Sequence, residues 1–315
     1  MKKICGAIPA NPEGCEANKG FTLVEVLISM VVATVLVGAI YSSYVIQQKA
    51  YTVQRDLARM ENCLRAAMQI IRSDLLNSGR NGEMDGTLGI MESRRWNQLN
   101  LNTLDTGVNG FQGLTLTTGM DGDLAAGILP DGSADLGVTQ TISYRLLDTD
   151  ADGRRELYRI DSNYPAGAAT VPAVPNGVLL CDCIDDMGFA FAIDRDHDEE
   201  IDRVNAPPNP STLIWAADVN NTGGLETNLD SNNSGTITQA DAGGVAIGQE
   251  VAYRDSRAVR IWLLARSARP DTNYHDGKVY QVGLKTINPE IDNTAMFRRM
   301  LLSSTVTLRN RERRP

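Results

Sequence analysis

The sequence predicts an α+β protein in which a long N-terminal helix, membrane-spanning in its first half, packs on an antiparallel β-sheet domain carrying a long Asn-rich insertion. Three observations predict it. Residues 21–48 form an apolar run whose one charge is Glu25, and apolar residues at helical spacing continue that run to residue 78. From residue 83 onward, short β-favouring runs alternate with Gly, Asp, Asn and Pro. At 42% hydrophobic and 22% charged residues, the chain can bury a sizeable core.

The first element follows a polar stretch that holds Lys2, Lys3 and Lys19. Its uncharged part, 26–48, would span about 35 Å as a helix at about 1.5 Å per residue, enough for a hydrocarbon core of about 30 Å. Lysines before the run and an acidic bulk after it, at net charge −9, place the N-terminal residues in the cytoplasm and the bulk across the membrane. A secretory signal is cut after its apolar run, whereas the distinctive junction here precedes the run.

That junction, Lys19-Gly20-Phe21-Thr22-Leu23-Val24-Glu25, resembles the type IV prepilin signal. The resemblance implies a leader peptide at 1–20, cleavage by a prepilin peptidase between Gly20 and Phe21, and N-methylation of Phe21. It implies the type IV pilin fold for the remainder. Glu25 has a physical reading of its own, because a carboxylate so early in an apolar helix is costly in lipid and needs a partner. In pilins the equivalent glutamate meets the N-terminal amine of a neighbouring subunit, which implies an assembly role for Glu25. The competing reading is a first-turn carboxylate favoured by the helix dipole.

Val53, Leu57, Met60, Leu64, Ala67, Ile71 and Leu75 extend the helix as an amphipathic stripe, and Gly79 and Gly82 mark its end, so the helix is expected over 21–78. Strands are expected at 112–117, 139–147, 155–161, 177–181, 187–193, 258–266, 278–286 and 300–309. TISYRLL and ELYRI read as a hairpin. The Asn- and Gly-rich segment 205–249 reads as an insertion or long loop emerging from the sheet.

The fragments GRRELYRI (153–160), AVRIWLLARS (258–267) and RRMLLSSTVTLRNR (298–311) resemble the globular domain of PilW-type minor pilins. Members of that family help start pilus assembly with other minor pilins or sit at the tip with an adhesin. The leader is long for the family, and the Asn-rich insertion departs from it.

Three acidic stretches resemble calcium loops, in which carboxylate and carbonyl oxygens at alternating positions wrap a hard cation. Asp148, Asp150 and Asp152 precede Gly153, although Arg159 stands where the closing acid belongs, and a hairpin tip already accounts for them. Asp194, Asp196, Asp198 and Asp202 place four carboxylates that repel one another unless a cation intervenes. Asp230, Asn232, Ser234 and Asp241, with Gly235 and Thr236, have the spacing of a dockerin-type loop. The competing reading of each is a solvated turn. Ca2+ is the one cofactor these residues point to.

Cys63, Cys181 and Cys183 are expected as buried thiols, with the alternative of one disulfide between Cys63 and either of the other two in an oxidising compartment. Zinc is disfavoured for want of a fourth ligand. A nucleophile elbow, a Walker loop, HExxH and a dinucleotide fingerprint are all missing from the sequence, and just two histidines occur, so no enzyme is expected. The acidic balance argues against nucleic acid as a partner. A locally basic C-terminus, Arg298, Arg299, Arg309, Arg311, Arg313 and Arg314, reads as a solvated strand end or as a docking surface for an acidic neighbour.

Residues and resemblance together lead to a membrane-inserted minor pilin. The partners implied are other major and minor pilins, the prepilin peptidase, the inner-membrane assembly platform and a tip adhesin. The runner-up is a minor pseudopilin of type II secretion, and the more distant rival is a membrane-anchored calcium-binding protein that never polymerises.

Overall fold

The computed structural model describes residues 22–78, 89–92, 95–96, 111–112, 114–119, 139–147, 155–164, 177–198, 200–204, 211–220, 223–241 and 243–308. The chain forms two compact units that divide between Gln54 and Arg55. One helix, α1 (Leu23–Asn77), supplies the described part of the first unit and the opening of the second.

In the first unit the apolar side chains of α1 from Leu23 to Tyr44, among them Leu27, Ile28, Val31, Val35 and Ile40, are exposed, and Val45 and Val53 are half-buried. A helix that shows water so much apolar surface is built for another environment. In the second unit Met60, Leu64, Ala67, Met68, Ile71 and Leu75 are buried, which is the predicted stripe from Met60 onward, widened by Met68. The helix ends at Asn77, and the Ser78 hydroxyl donates to the Leu75 carbonyl at 2.7 Å, satisfying one of the orphan carbonyls of the last turn. Gly79 and Gly82, expected to end it, lie outside the described residues.

Ten strands form one antiparallel sheet: β1 (Gly89–Glu92), β2 (Leu114–Gly119), β3 (Thr139–Leu147), β4 (Arg155–Tyr164), β5 (Gly177–Ile193), β6 (Trp215–Ala217), β7 (Leu225–Asn228), β8 (Val245–Val251), β9 (Ser256–Arg266) and β10 (Arg299–Thr307). They run β1-β2-β3-β4-β5-β6-β7-β8, and β9 pairs with both β5 and β10. The predicted hairpin is β3–β4, in register from Thr139↔Tyr164 to Leu147↔Glu156.

Three expectations are corrected. The strands expected at 177–181 and 187–193 are one 17-residue strand, β5, because the acids between them are neutralised rather than solvated. The strand expected at 278–286 is a hairpin, 280–282 against 285–287, turning at Gly283 in the left-handed region (φ 59°). The segment 205–249 is not a loop hanging from the sheet, since it carries β6, β7 and part of β8, which continue the sheet beyond β5.

The core lies on both faces of the sheet. On one face the α1 stripe packs with Leu114, Leu116, Leu157, Phe189, Phe191 and Ile261. On the other, Ala190, Ala192, Trp215, Trp262 and Leu264 form a second cluster with Tyr280, Val282 and Ile287 of the hairpin.

Candidate functional site

The start of α1 is locally specified. Thr22 is its N-cap: the Glu25 N–H donates to Thr22 Oγ1 at 3.3 Å and the Val26 N–H to the Thr22 carbonyl at 3.2 Å. Thr22-Leu23-Val24-Glu25 is therefore a capping-box sequence, and sequence reasoning had named its acid without the threonine. Glu25 is exposed in the first turn of an exposed helix, where the dipole favours a carboxylate. Gly20 and Phe21 lie outside the described residues.

Within the second unit, a disulfide and two polar links among the described residues tie α1 to the sheet. Cys63 is joined to Cys181 of β5 by a disulfide, with Cα atoms 5.5 Å apart, and Cys183 is not in the bond. This corrects the expectation of three thiols and realises its alternative. The helix flank carrying Cys63 faces β5, a proximity that spacing along the chain does not reveal. Next to it, Arg59 pairs with Asp182. One turn from the helix end, Asp74 accepts from Arg159 Nε at 2.7 Å and from the Tyr144 hydroxyl. Burial and the Asp74 carboxylate together hold the Tyr144 phenol far above its usual range. Burial alone would lower the Arg159 pKa, but the facing Asp74 outweighs it and the guanidinium stays charged.

The middle of β5 is acidic and buried. Asp185 meets Arg299 at 2.8 Å and Arg266 at 3.5 Å, and its carbonyl accepts from Arg155. Asp186 meets Lys285 at 2.9 Å. Burial pushes the Asp186 carboxyl above the ordinary range, with Lys285 and Arg155 pulling it back. Arg298 and Arg299, read from sequence as part of a basic surface, are engaged by acids of the fold: half-buried Arg298 pairs with Asp271 at 2.8 Å and buried Arg299 with Asp185. Arg309, Arg311, Arg313 and Arg314 lie outside the described residues.

Of the acidic loops, Asp148, Asp150 and Asp152 lie outside the described residues. At the second loop, Asp194, Asp196 and Asp198 converge, with one carboxylate oxygen of each within 4.8 Å of the others. Asp194 is buried and accepts from Arg257 Nε at 2.7 Å, while its Oδ1 has no hydrogen-bond partner among the described residues. Asp202 does not join them; it takes Arg195 Nε at 3.3 Å, and burial raises its pKa against the pull of that arginine.

At the third loop the carboxylates are spent on backbone. Asp230 accepts the Ser234 N–H at 2.9 Å and the Gly235 N–H at 2.7 Å, and Asn232 also accepts from Ser234, at 2.9 Å. Asp241 accepts from the N–H groups of Asn232 and Thr238 and from two hydroxyls. Burial would raise the Asp241 pKa, but these four donors outweigh it and hold the carboxyl below its ordinary value. Sequence reasoning missed a second copy of this turn. D-x-N-N-[TS]-G occurs at 218–223 as well as 230–235, and Asp218 accepts the Gly223 N–H at 2.9 Å as Asp230 accepts that of Gly235.

A long helix with an exposed apolar first part, a capped Thr22–Glu25 turn and an antiparallel sheet packed on its second part are now in place. The family of type IV pilus-assembly protein W, PilW, matches residues 146–310, from the end of β3 to the far side of β10. The chain belongs to this family. The prokaryotic N-terminal methylation motif matches residues 17–41, spanning Gly20, Phe21 and Glu25. No curated protein matches the chain. Membership in the PilW family and the methylation motif make it a membrane-anchored minor pilin of the type IV pilus, working with other pilus components.

Proposed function

We propose that the chain acts in the initiation of pilus assembly or at the fibre tip, as a non-enzymatic subunit that works by helix packing. The observation that carries this reading is the unbroken apolar first part of α1, exposed from Leu23 to Tyr44 and headed by Glu25. Before assembly, residues 21–48 hold the subunit in the inner membrane with the globular domain in the periplasm. The prepilin peptidase cuts between Gly20 and Phe21 and Phe21 is methylated. Afterwards the same apolar surface packs against other major and minor pilins, with the assembly platform driving extraction and an adhesin as a tip partner. Glu25, whose cost in lipid demands a partner, meets the amine of a neighbouring subunit.

The intact mass of protein from cells with their own peptidase tests the processing: a chain starting at methylated Phe21 supports the reading, and one retaining 1–20 overturns it. Glu25→Leu tests the packing and should abolish incorporation while leaving membrane insertion intact. A minor pseudopilin of type II secretion is the alternative, told apart by loss of exoprotein secretion rather than of pili in a deletion strain.

A second reading rests on Asp194, Asp196 and Asp198. Three carboxylates so close, one with a buried oxygen lacking a donor, fit Ca2+ better than they fit one another. Asp196 and Asp198 would supply the exposed ligands and Asp194 Oδ1 the buried one.

A further inference from the structure

Cys183 is 8% exposed, and its Sγ lies 3.5 Å from Cys181 Sγ, one half of the bond that ties α1 to β5. All three cysteine sulfurs lie within 4.8 Å of one another. The fold brings this about through a bulge: Leu157 of β4 pairs with Cys181 but Arg155 pairs with Ile184, so β5 spends an extra residue between Cys181 and Ile184. Cys183 and Ile184 are consecutive yet both join the core cluster on the α1 face, as a bulge allows. Residues two apart on a strand have Cα atoms about 6.6 Å apart, inside the range a disulfide spans. Beside Cys183 is a cavity of about 20 Å³, lined with Asp56, Arg59, Met60, Asp182 and Ala268, roomy enough for a water that can take its proton.

We propose that Cys183 is the attacking thiol of an internal thiol–disulfide exchange site. Its thiolate attacks Cys181 Sγ, the Cys181–Cys183 bond forms as the Cys63–Cys181 bond breaks, and the electron pair leaves on Cys63 Sγ. The proton lost from Cys183 is matched by one taken up at Cys63, so no oxidant or reductant is consumed. The exchange removes the covalent tie between α1 and β5 and leaves the polar links at Arg59 and Asp74 in place. The crosslink is thus a movable latch on the helix that carries the assembly surface.

Disulfide mapping on the full chain in detergent, purified without reductant, tests this. Samples held at pH 6 and pH 8.5 are quenched in acid, alkylated in denaturant, and cleaved on the N-terminal side of aspartate, which separates Cys181 from Cys183 at Asp182. The expected result is two forms, Cys63–Cys181 with alkylated Cys183 and Cys181–Cys183 with alkylated Cys63, interconverting faster at pH 8.5 because the thiolate attacks. Cys183→Ser should leave the first form alone. A single Cys63–Cys181 form at both pH values, three alkylated thiols, or a crosslink between chains would each overturn the proposal.

Discussion

Asp74 near the end of α1 and Arg159 of β4 meet at 2.7 Å with both side chains largely covered, and the Tyr144 hydroxyl closes on the same carboxylate oxygen. Arg159 is the residue that stands in the closing position of the first calcium-like loop. Its guanidinium serves the helix instead, which gives the departure from the loop pattern a structural reason.

Removing the Asp74 carboxylate leaves half-buried Arg159 with Asp161, at 3.2 Å, as its remaining acid and takes the charged acceptor from the Tyr144 phenol. Asp74→Asn should cost about 1–3 kcal/mol in equilibrium unfolding, the penalty of losing a half-buried charge-assisted hydrogen bond while Asp161 still partners the arginine. Adding Arg159→Met to that variant should recover part of the loss, and a double-mutant cycle in urea measures the coupling.

The disulfide closes a loop with a sequence separation of 118 residues. Crosslinks over such loops restrict the unfolded chain strongly, and Cys63→Ser should cost about 3–4 kcal/mol. Thermal unfolding of oxidised wild type, reduced wild type and the variant should place the last two together.

The α1 stripe and the β3–β4 hairpin were legible because their signals are local: a helical period and two alternating runs around a turn. β5 was not, because Asp182, Asp185 and Asp186 look like a solvated break and the cations that neutralise them are Arg59, Lys285 and Arg299, supplied from far along the chain. The 280–287 hairpin hid for a related reason, since Val282 and Leu284 continue an apolar run straight across its turn. At the candidate site the sequence named Glu25 and the converging Asp194, Asp196 and Asp198. Asp202 closes the same D-x-D-x-D-x-x-x-D pattern, but Arg195 competes for it at close range, which spacing cannot register.

Gly188 shows how closely the second face is packed. It pairs with Trp262, and a Cβ there would come within 2.7 Å of the Gly283 nitrogen and 2.8 Å of the Val282 carbonyl carbon, both backbone atoms. Gly188→Ala therefore has to push the hairpin away, at a cost of about 2 kcal/mol. Hydrogen exchange should show the added opening in 280–287 rather than in α1.

Asp241 sets a pH dependence. Its folded pKa lies below the unfolded value of about 3.9. The unfolded state therefore binds the proton first, and the stabilisation from its four donors is complete above that value and lost as pH falls through the folded pKa. Asp241→Asn, which turns an amide N–H toward those donors, should be destabilised relative to wild type at pH 7. The gap should narrow below pH 4 in urea titrations across that range.

Calcium at the second loop makes a sharper prediction. If Asp194, Asp196 and Asp198 share a cation, binding to the folded state alone raises stability by about 1.4 kcal/mol at roughly ten times Kd, and the rise should be seen as a shift in the unfolding midpoint on adding millimolar CaCl2 to chelator-treated protein. Asp196→Asn with Asp198→Asn removes two exposed charged ligands while the amide oxygens can still accept the loop N–H groups that Asp196 and Asp198 hold, so the variant should fold normally and lose the shift. Magnesium is the control, since its smaller octahedral shell suits a few carboxylates and retained waters rather than an open loop of oxygens. A midpoint that ignores calcium would assign the buried Asp194 to Arg257 alone and make the loop a turn whose charge is balanced from within the fold.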